Sequence, residues 1–266
     1  NDKGGYHMHD THGGNIFKFA HDHHIHISEI SDFSANINPL GPSKKGLDAL
    51  NERLNYISHY PEVTNDAVLN TIADVYGVDK ESILIGNGAA ELLYVIGRLP
   101  GYTGAFVPAP GFSEYRASMN AANIPVRDIF YRQRQYDNGI PYFEVPYLAL
   151  QTFAAELKGQ DGRIIVFLGN PNNPDGTLLD KIQIKILANM LRDANSLLVI
   201  DESFIDFIGN ESLRDNSNSL RDLINDYDNV IIVQSLTKFY AVPGLRIGAA
   251  FANPTLIQSL HQFITA

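Results

Sequence analysis

Five short apolar runs recur after Ser82, and helix-patterned segments separate several of them. They are Ile83-Leu84-Ile85, Ala105-Phe106-Val107, Arg163-Ile164-Ile165-Val166-Phe167-Leu168, Leu197-Leu198-Val199-Ile200 and Val230-Ile231-Ile232-Val233. Runs this apolar read as strands buried on both faces, and such strands need helices above and below them. Residues 179–191 carry apolar positions at helical spacing and supply one cover. The pattern predicts an α/β fold with a mostly parallel, doubly covered sheet. A chain of 266 residues, 44% hydrophobic, can bury such a core. Ligands in sheets of this kind bind beyond the carboxyl ends of the strands.

The first forty residues differ in character. They are rich in Gly, His, Asn and Asp, show little periodicity, and read as an extended arm. Helical patterns follow at residues 44–54 and 65–76, the second stopped by Gly77. The expected division is an arm over residues 1–43 and a large α/β domain over 44–266. Cysteine is absent, which removes disulfides, a thiol nucleophile and cysteine metal sites, and fits a reducing compartment. The opening Asn1-Asp2-Lys3-Gly4-Gly5 lacks the apolar core of a secretion signal, and no stretch is long enough to span a bilayer. A cytoplasmic protein is expected. A formal net charge of -10 argues against nucleic acid or an anionic membrane as the main partner. An anionic small molecule stays open, because local arginines and helix N-termini can hold one.

The chemistry centres on Lys238 in Ser235-Leu236-Thr237-Lys238, between a buried strand and the run Pro243-Gly244-Leu245-Arg246-Ile247-Gly248. An amine there, with two hydroxyls before it and an arginine after it, suits an aldehyde cofactor that carries a phosphate. Lys238 forms the Schiff base, and Ser235, Thr237 and Arg246 bind the phosphate. A solvated loop lysine has the same local sequence, so other segments decide. Gly86-Asn87-Gly88-Ala89-Ala90-Glu91 follows a strand and opens a helix, so the backbone around Gly88, Ala89 and Ala90 can cradle a phosphate. Phe112, after Pro110-Gly111, can stack on a heteroaromatic ring. Asn173, in the turn-rich Asn170-Pro171-Asn172-Asn173-Pro174-Asp175-Gly176, can meet a ring hydroxyl. Asp201 closes a strand, and a carboxylate against a pyridine nitrogen keeps that nitrogen protonated.

Taken in this order, these residues resemble the fold-type I pyridoxal-phosphate enzymes, and within them the threonine-phosphate decarboxylases of cobalamin synthesis. The resemblance runs through His12-Gly13-Gly14-Asn15, Asp32-Phe33-Ser34-Ala35-Asn36-Ile37-Asn38-Pro39-Leu40-Gly41 and Tyr60-Pro61-Glu62. It continues through Pro110-Gly111-Phe112-Ser113-Glu114-Tyr115, Asp201-Glu202-Ser203-Phe204-Ile205-Asp206-Phe207, Ser235-Leu236-Thr237-Lys238-Phe239-Tyr240 and Gly244-Leu245-Arg246. The neighbouring histidinol-phosphate aminotransferases share the cofactor motifs but generally not the His-Gly-Gly-Asn arm.

The resemblance implies pyridoxal 5'-phosphate, with Lys238, Asp201 and Asn173 as the catalytic set. It makes Gly88, Ala89, Ala90, Phe112, Ser235, Thr237 and Arg246 further cofactor contacts. Tyr60 reaches the phosphate from a neighbouring subunit, which implies a homodimer. His12, Gly13, Asn36 and Asn173 touch a phosphorylated amino-acid substrate. The implied reaction is decarboxylation of L-threonine O-3-phosphate to (R)-1-aminopropan-2-yl phosphate. Two positions depart from the wider family: Phe204 stands where many relatives carry tyrosine, as in the decarboxylase subgroup, and Ala90 stands where a hydroxyl residue often helps to bind the phosphate. The resemblance also implies a small C-terminal domain whose arginines hold the substrate's acidic groups. That domain is absent from the chain, which is read as part of a longer protein.

Three alternatives share the cofactor residues: an aminotransferase acting on histidinol phosphate, an O-phospho-L-serine decarboxylase, and a non-catalytic homologue. One methyl group separates threonine phosphate from serine phosphate, worth only roughly 1–3 kcal/mol of discrimination. The arm's His7, His9, His12, His21, His23, His24 and His26 have the look of a metal cluster, but a solvated surface segment accounts for them and no metal is expected. The charged residues 127–134 are expected to cover the surface.

Overall fold

The computed structural model describes residues 13–62, 64–157, 162–209 and 218–264. Seven strands form the main sheet: β1 (Ile83–Gly86), β2 (Tyr102–Ala109), β3 (Val126–Phe130), β6 (Arg163–Gly169), β7 (Leu197–Asp201), β8 (Val230–Ser235) and β9 (Gly248–Ala252). Between β3 and β6, β4 (Arg132–Gln135) and β5 (Pro141–Glu144) form a separate antiparallel hairpin. The main sheet runs β1-β9-β8-β7-β6-β2-β3. Only β9 opposes its neighbours, pairing antiparallel with β8 and β1. The mostly parallel α/β fold expected from the apolar runs is the fold observed.

Alternation within the strands divides the core in two. Ile164, Val166 and Leu168 of β6, with Leu198, Ile200, Val230 and Ile232, pack into one cluster. Ile165 and Phe167, with Leu197, Val199, Ile231 and Val233, point to the other face. The first face is covered by α3 (Asp66–Tyr76), α6 (Tyr147–Leu157) and α7 (Lys181–Asp193); the second by α4 (Ala89–Gly97), α5 (Ser113–Ala121) and α8 (Pro254–His261). The helix expected over 179–191 begins two residues later, because the Asp180 side chain accepts from the Ile182 and Gln183 amides and sets the N-cap.

Two expectations are corrected. The arm is not simply extended: α1 (Ile16–His23) starts where the Asn15 side chain accepts from the Lys18 amide, and ends with His24 in the left-handed region. Phe19 stacks on His23, and Lys18 pairs with Asp22 one turn on. Residues 127–134 do more than cover the surface, since Val126–Phe130 is the edge strand of the main sheet and buries Ile129. After Arg246, Gly248–Ala252 forms a fully buried strand that the apolar runs did not include. The helix expected over 44–54 is α2 (Lys44–Arg53), which starts at a Ser43 cap and buries none of its residues. Among the described residues, no helix is long and apolar enough to cross a membrane. None of their His, Asp and Glu side chains gather in threes at metal-binding range.

Candidate active site

The strand register collects the predicted residues along one edge of the sheet. Gly169 pairs with Asp201, Asp201 with Val233, Ser235 with Gly248, and Gly248 with Gly86. Each parallel strand therefore ends on the same line, and the loops carrying Gly88, Phe112, Asn173 and Lys238 leave from it.

Asp201 is buried there. Its Oδ2 accepts from the Tyr115 hydroxyl at 2.8 Å and its Oδ1 from the Ser203 amide at 2.9 Å. The Ser203 hydroxyl in turn accepts from the Ser235 amide at 3.0 Å, tying the ends of β7 and β8 together. Burial pushes the Asp201 carboxyl up, while hydrogen bonds from Ser203 and Tyr115 and the charge of Lys238 pull it back. Lys238 is half-buried. Burial and the neighbouring Arg246 hold its amine below the usual lysine range, against the opposing pull of Asp201. A depressed amine beside a buried carboxylate is the arrangement an activated lysine requires.

The anion cup is assembled by close backbone approach. Gly88 has φ +84°, and a Cβ there would stand 2.6 Å from Arg246 Nη2. A Cβ on Gly248 would stand 2.4 Å from the Ala89 nitrogen, so glycine lets the N-terminus of α4 press against β9. Ser235 Oγ and Thr237 Oγ1 are 2.8 Å apart and both buried. One guanidinium, two hydroxyls and a helix N-terminus thus converge, which is the donor set for a phosphate dianion. Ala90 adds no side-chain donor. The Glu91 carboxylate accepts from the Asn87 amide at 2.6 Å and closes the turn.

Phe112 is half-buried and meets the Tyr115 ring edge-on at 5.6 Å between centroids. Of the adjacent asparagines, Asn172 is structural: its amide donates to the Pro110 carbonyl and to Asp175. Asn173, half-buried, has no side-chain partner among the described residues and stays free for a ligand.

The arm meets the site from the other side. A Cβ on Gly13 would stand 1.7 Å from the Ser34 carbonyl oxygen, and the Gly14 amide donates to Ser34 Oγ at 2.7 Å. Asn36 is exposed, but two residues on Asn38 bonds the backbone of Lys238 and Phe239. His12 lies outside the described residues. Tyr60 is fully exposed, and nothing brings it to its own chain's site.

Three participants escaped the sequence reading: Tyr115 on Asp201, Asn38 on the lysine turn, and a buried cluster behind them. In that cluster Glu202, fully buried, accepts from Ser219 Oγ at 2.6 Å and the Leu220 amide at 2.7 Å, and lies 3.8 Å from the Arg221 guanidinium. Burial pushes Glu202 up to about 7 despite Arg221.

The sequence profile of the aminotransferase class I and II family matches residues 28–266. The chain belongs to that family. Membership implies pyridoxal 5'-phosphate as the cofactor, and the cup, the buried Asp201 and the depressed Lys238 fit it. The chain is 32% identical over 252 residues to a putative threonine-phosphate decarboxylase of Caldanaerobacter subterraneus, covering 95% of this chain and 62% of that protein. It is 30% identical over 254 residues to a histidinol-phosphate aminotransferase of Methanothermobacter thermautotrophicus, covering 94% and 62%. It superposes on the crystal structure of L-threonine-O-3-phosphate decarboxylase from Porphyromonas gingivalis with a TM-score of 0.68 and 28% identity, covering 89% of this chain and 64% of that one. The chain therefore spans less than two thirds of the length of these relatives.

Proposed function

We propose that the protein decarboxylates L-threonine O-3-phosphate in cobalamin biosynthesis. The observation that carries this reading is the docking of the arm: Gly13 and Gly14 pack on Ser34, and Asn38 holds the lysine turn. That docking supports a site in which Gly13, Gly14 and Asn36 serve the same side as Lys238.

Lys238 would hold the cofactor covalently, the Gly88–Ala90 turn, Ser235, Thr237 and Arg246 its phosphate, Phe112 its ring face, and Asn173 its ring oxygen. Asp201 would keep the ring nitrogen protonated, and the ring then serves as an electron sink for a carbanion at the substrate Cα. The chain's own part is orientation. His12, Gly13 and Asn36 would hold the distal phosphate, so that remote binding would orient the carboxylate rather than the α-hydrogen as the group to leave. The carboxylate would leave as carbon dioxide, and a proton would take its place at Cα. Lys238 would be the donor of that proton, a role supported by its depressed amine beside Asp201. Tyr60 would complete the site of a second copy in a homodimer, a reading supported by its full exposure and by the exposure of Ile57 and Phe33.

Tyr115 is a positioning residue in this scheme, because its hydroxyl acts through Asp201. Tyr115→Phe removes a donor from a buried carboxylate, and Asp201 then rises further and spends less time ionised. A hydrogen bond to a charged group is worth roughly 1.5–3 kcal/mol. Titration of the cofactor-free protein with pyridoxal phosphate should show about ten- to hundredfold weaker binding. Unchanged affinity would remove Tyr115 from the mechanism.

The deciding assay follows carbon dioxide from O-phospho-L-threonine with full-length, cofactor-loaded protein, with and without 2-oxoglutarate. Release independent of the keto acid is expected. Amine transfer from histidinol phosphate, with no release, would establish the second reading, which the Methanothermobacter relative supports.

A further inference from the structure

We propose that Asn38 is a positioning residue that clamps the arm to the lysine turn, so that the substrate-holding segment and the Lys238 amine are set as one unit. The inference rests on Lys238 being the cofactor lysine and does not depend on which substrate the arm holds.

Residues 236–241 form neither helix nor strand. Ala241 sits at φ +54°, a costly value for a residue with a Cβ, so neighbours must fix this turn. The Thr237 carbonyl accepts from Val242 and the Lys238 carbonyl from Ala241, at 3.0 and 3.3 Å. Two further contacts come from Asn38. Its backbone amide donates to the Lys238 carbonyl at 3.1 Å, and its side-chain Nδ2 donates to the Phe239 carbonyl at 2.9 Å. Among the described residues, the Phe239 carbonyl accepts from Asn38 alone.

The other end of Asn38 is fixed equally well. Its Oδ1 accepts from the Leu40 amide at 3.0 Å and its carbonyl from the Gly41 amide at 3.2 Å. A short amide is needed because one group must donate to Phe239 while the other accepts from Leu40. Aspartate would set an oxygen against the Phe239 carbonyl, and alanine would lose both bonds.

Asn38 also lies at the end of a continuous path. Gly13 and Gly14 seat on Ser34, and Asn36 is two residues before the clamp, so its Cα lies within about 7 Å of Asn38. A shift of the arm is thereby passed to the backbone that carries the Lys238 amine. Nothing in the cofactor cup supplies that link, because Ser235, Thr237 and Arg246 hold the turn from the sheet side.

The test compares Asn38→Ala and Asn38→Asp with the parent, all as full-length protein. Hydrogen exchange of the cofactor-free form is read across residues 236–241, with β8 and β9 as internal controls. Each side-chain bond lost multiplies the local opening equilibrium several-fold, so exchange in 236–241 should quicken about tenfold while β8 and β9 hold their rates. Asn38→Asp keeps the acceptor for Leu40, so the same opening in both variants assigns the effect to the Nδ2 bond on Phe239. In the loaded protein, the pH midpoint of the cofactor's visible absorbance should move in both variants. Unaltered exchange in 236–241, or equal acceleration through β8 and β9, would overturn the proposal. Neither readout uses substrate, so failure of the decarboxylase assignment would leave the result standing.

Discussion

Lys238→Ala should abolish the visible absorbance of the lysine-bound cofactor and lower turnover by at least about three orders of magnitude. The size of the effect follows from what the lysine's position supplies. The amine is half-buried, held below the ordinary lysine range by burial and by Arg246, and it feels the Asp201 charge. Its neutral, nucleophilic form is therefore easier to reach than that of a surface lysine. Lys18, Lys80 and Lys181 face Asp22, Asp66 and Asp222 across ion pairs, and none of them reaches the strand ends. Absorbance scans of the purified variant, together with the carbon dioxide assay, check both parts. The cup should survive the substitution, since Gly88, Ser235, Thr237 and Arg246 are fixed by glycine contacts and strand register. The cofactor should accordingly still bind, with an absorbance unlike that of the lysine-linked form. A variant that kept both the linked absorbance and turnover would place the chemistry elsewhere.

How much of this was legible in the chain depends on where each signal resides. Strands β6, β7 and β8 announce themselves because burial on both faces demands unbroken apolar runs. The site loops follow from them, since every parallel strand delivers its next residues to the same edge. Strand β9 reads Gly-Ala-Ala-Phe-Ala, whose small residues carry little strand preference and are chosen because α4 presses on that strand. Strand β3 is an edge, so Arg127 and Asp128 face solvent and mask its single buried Ile129. The missed site residues share another cause. Tyr115 meets Asp201 across 86 residues and Asn38 meets Phe239 across 201, so no local pattern can mark them. Arg221 is the extreme case, because Ser219-Leu220-Arg221-Asp222 has the composition of a surface turn and yet places a guanidinium in the core.

That burial makes Arg221→Met the most damaging substitution expected outside the active-site line. The guanidinium is 1% exposed, donates to Gln234 Oε1 at 2.9 Å, lies over the Tyr76 ring at 4.3 Å, and faces the Glu202 carboxylate. Gln234 passes the network on to Asp206 at 2.7 Å. Methionine keeps much of the volume and removes the cation, leaving two carboxyls without it. Removing one partner of a buried pair costs about 3–5 kcal/mol, which for a chain of this size is roughly 6–20 °C of melting temperature. The pH dependence separates stranded charge from lost packing. Burial raises Glu202 to about 7 and raises Asp206 as well, with Arg221 opposing both shifts. A carboxyl raised on folding binds its proton more tightly in the folded state, so its contribution is full below the unfolded value and is lost as pH climbs to the folded one. Without Arg221 both values rise further, and the penalty should be largest near pH 8 and much smaller near pH 5.5, where Glu202 is already neutral. Thermal melts at the two pH values measure the difference. Adding Glu202→Gln should recover most of the loss at pH 8 and little at pH 5.5, because the amide keeps an acceptor for Ser219 or Leu220 and needs no cation. Equal losses at both pH values would mean that Arg221 holds the core through its stacking on Tyr76 and its bond to Gln234, and not through its charge.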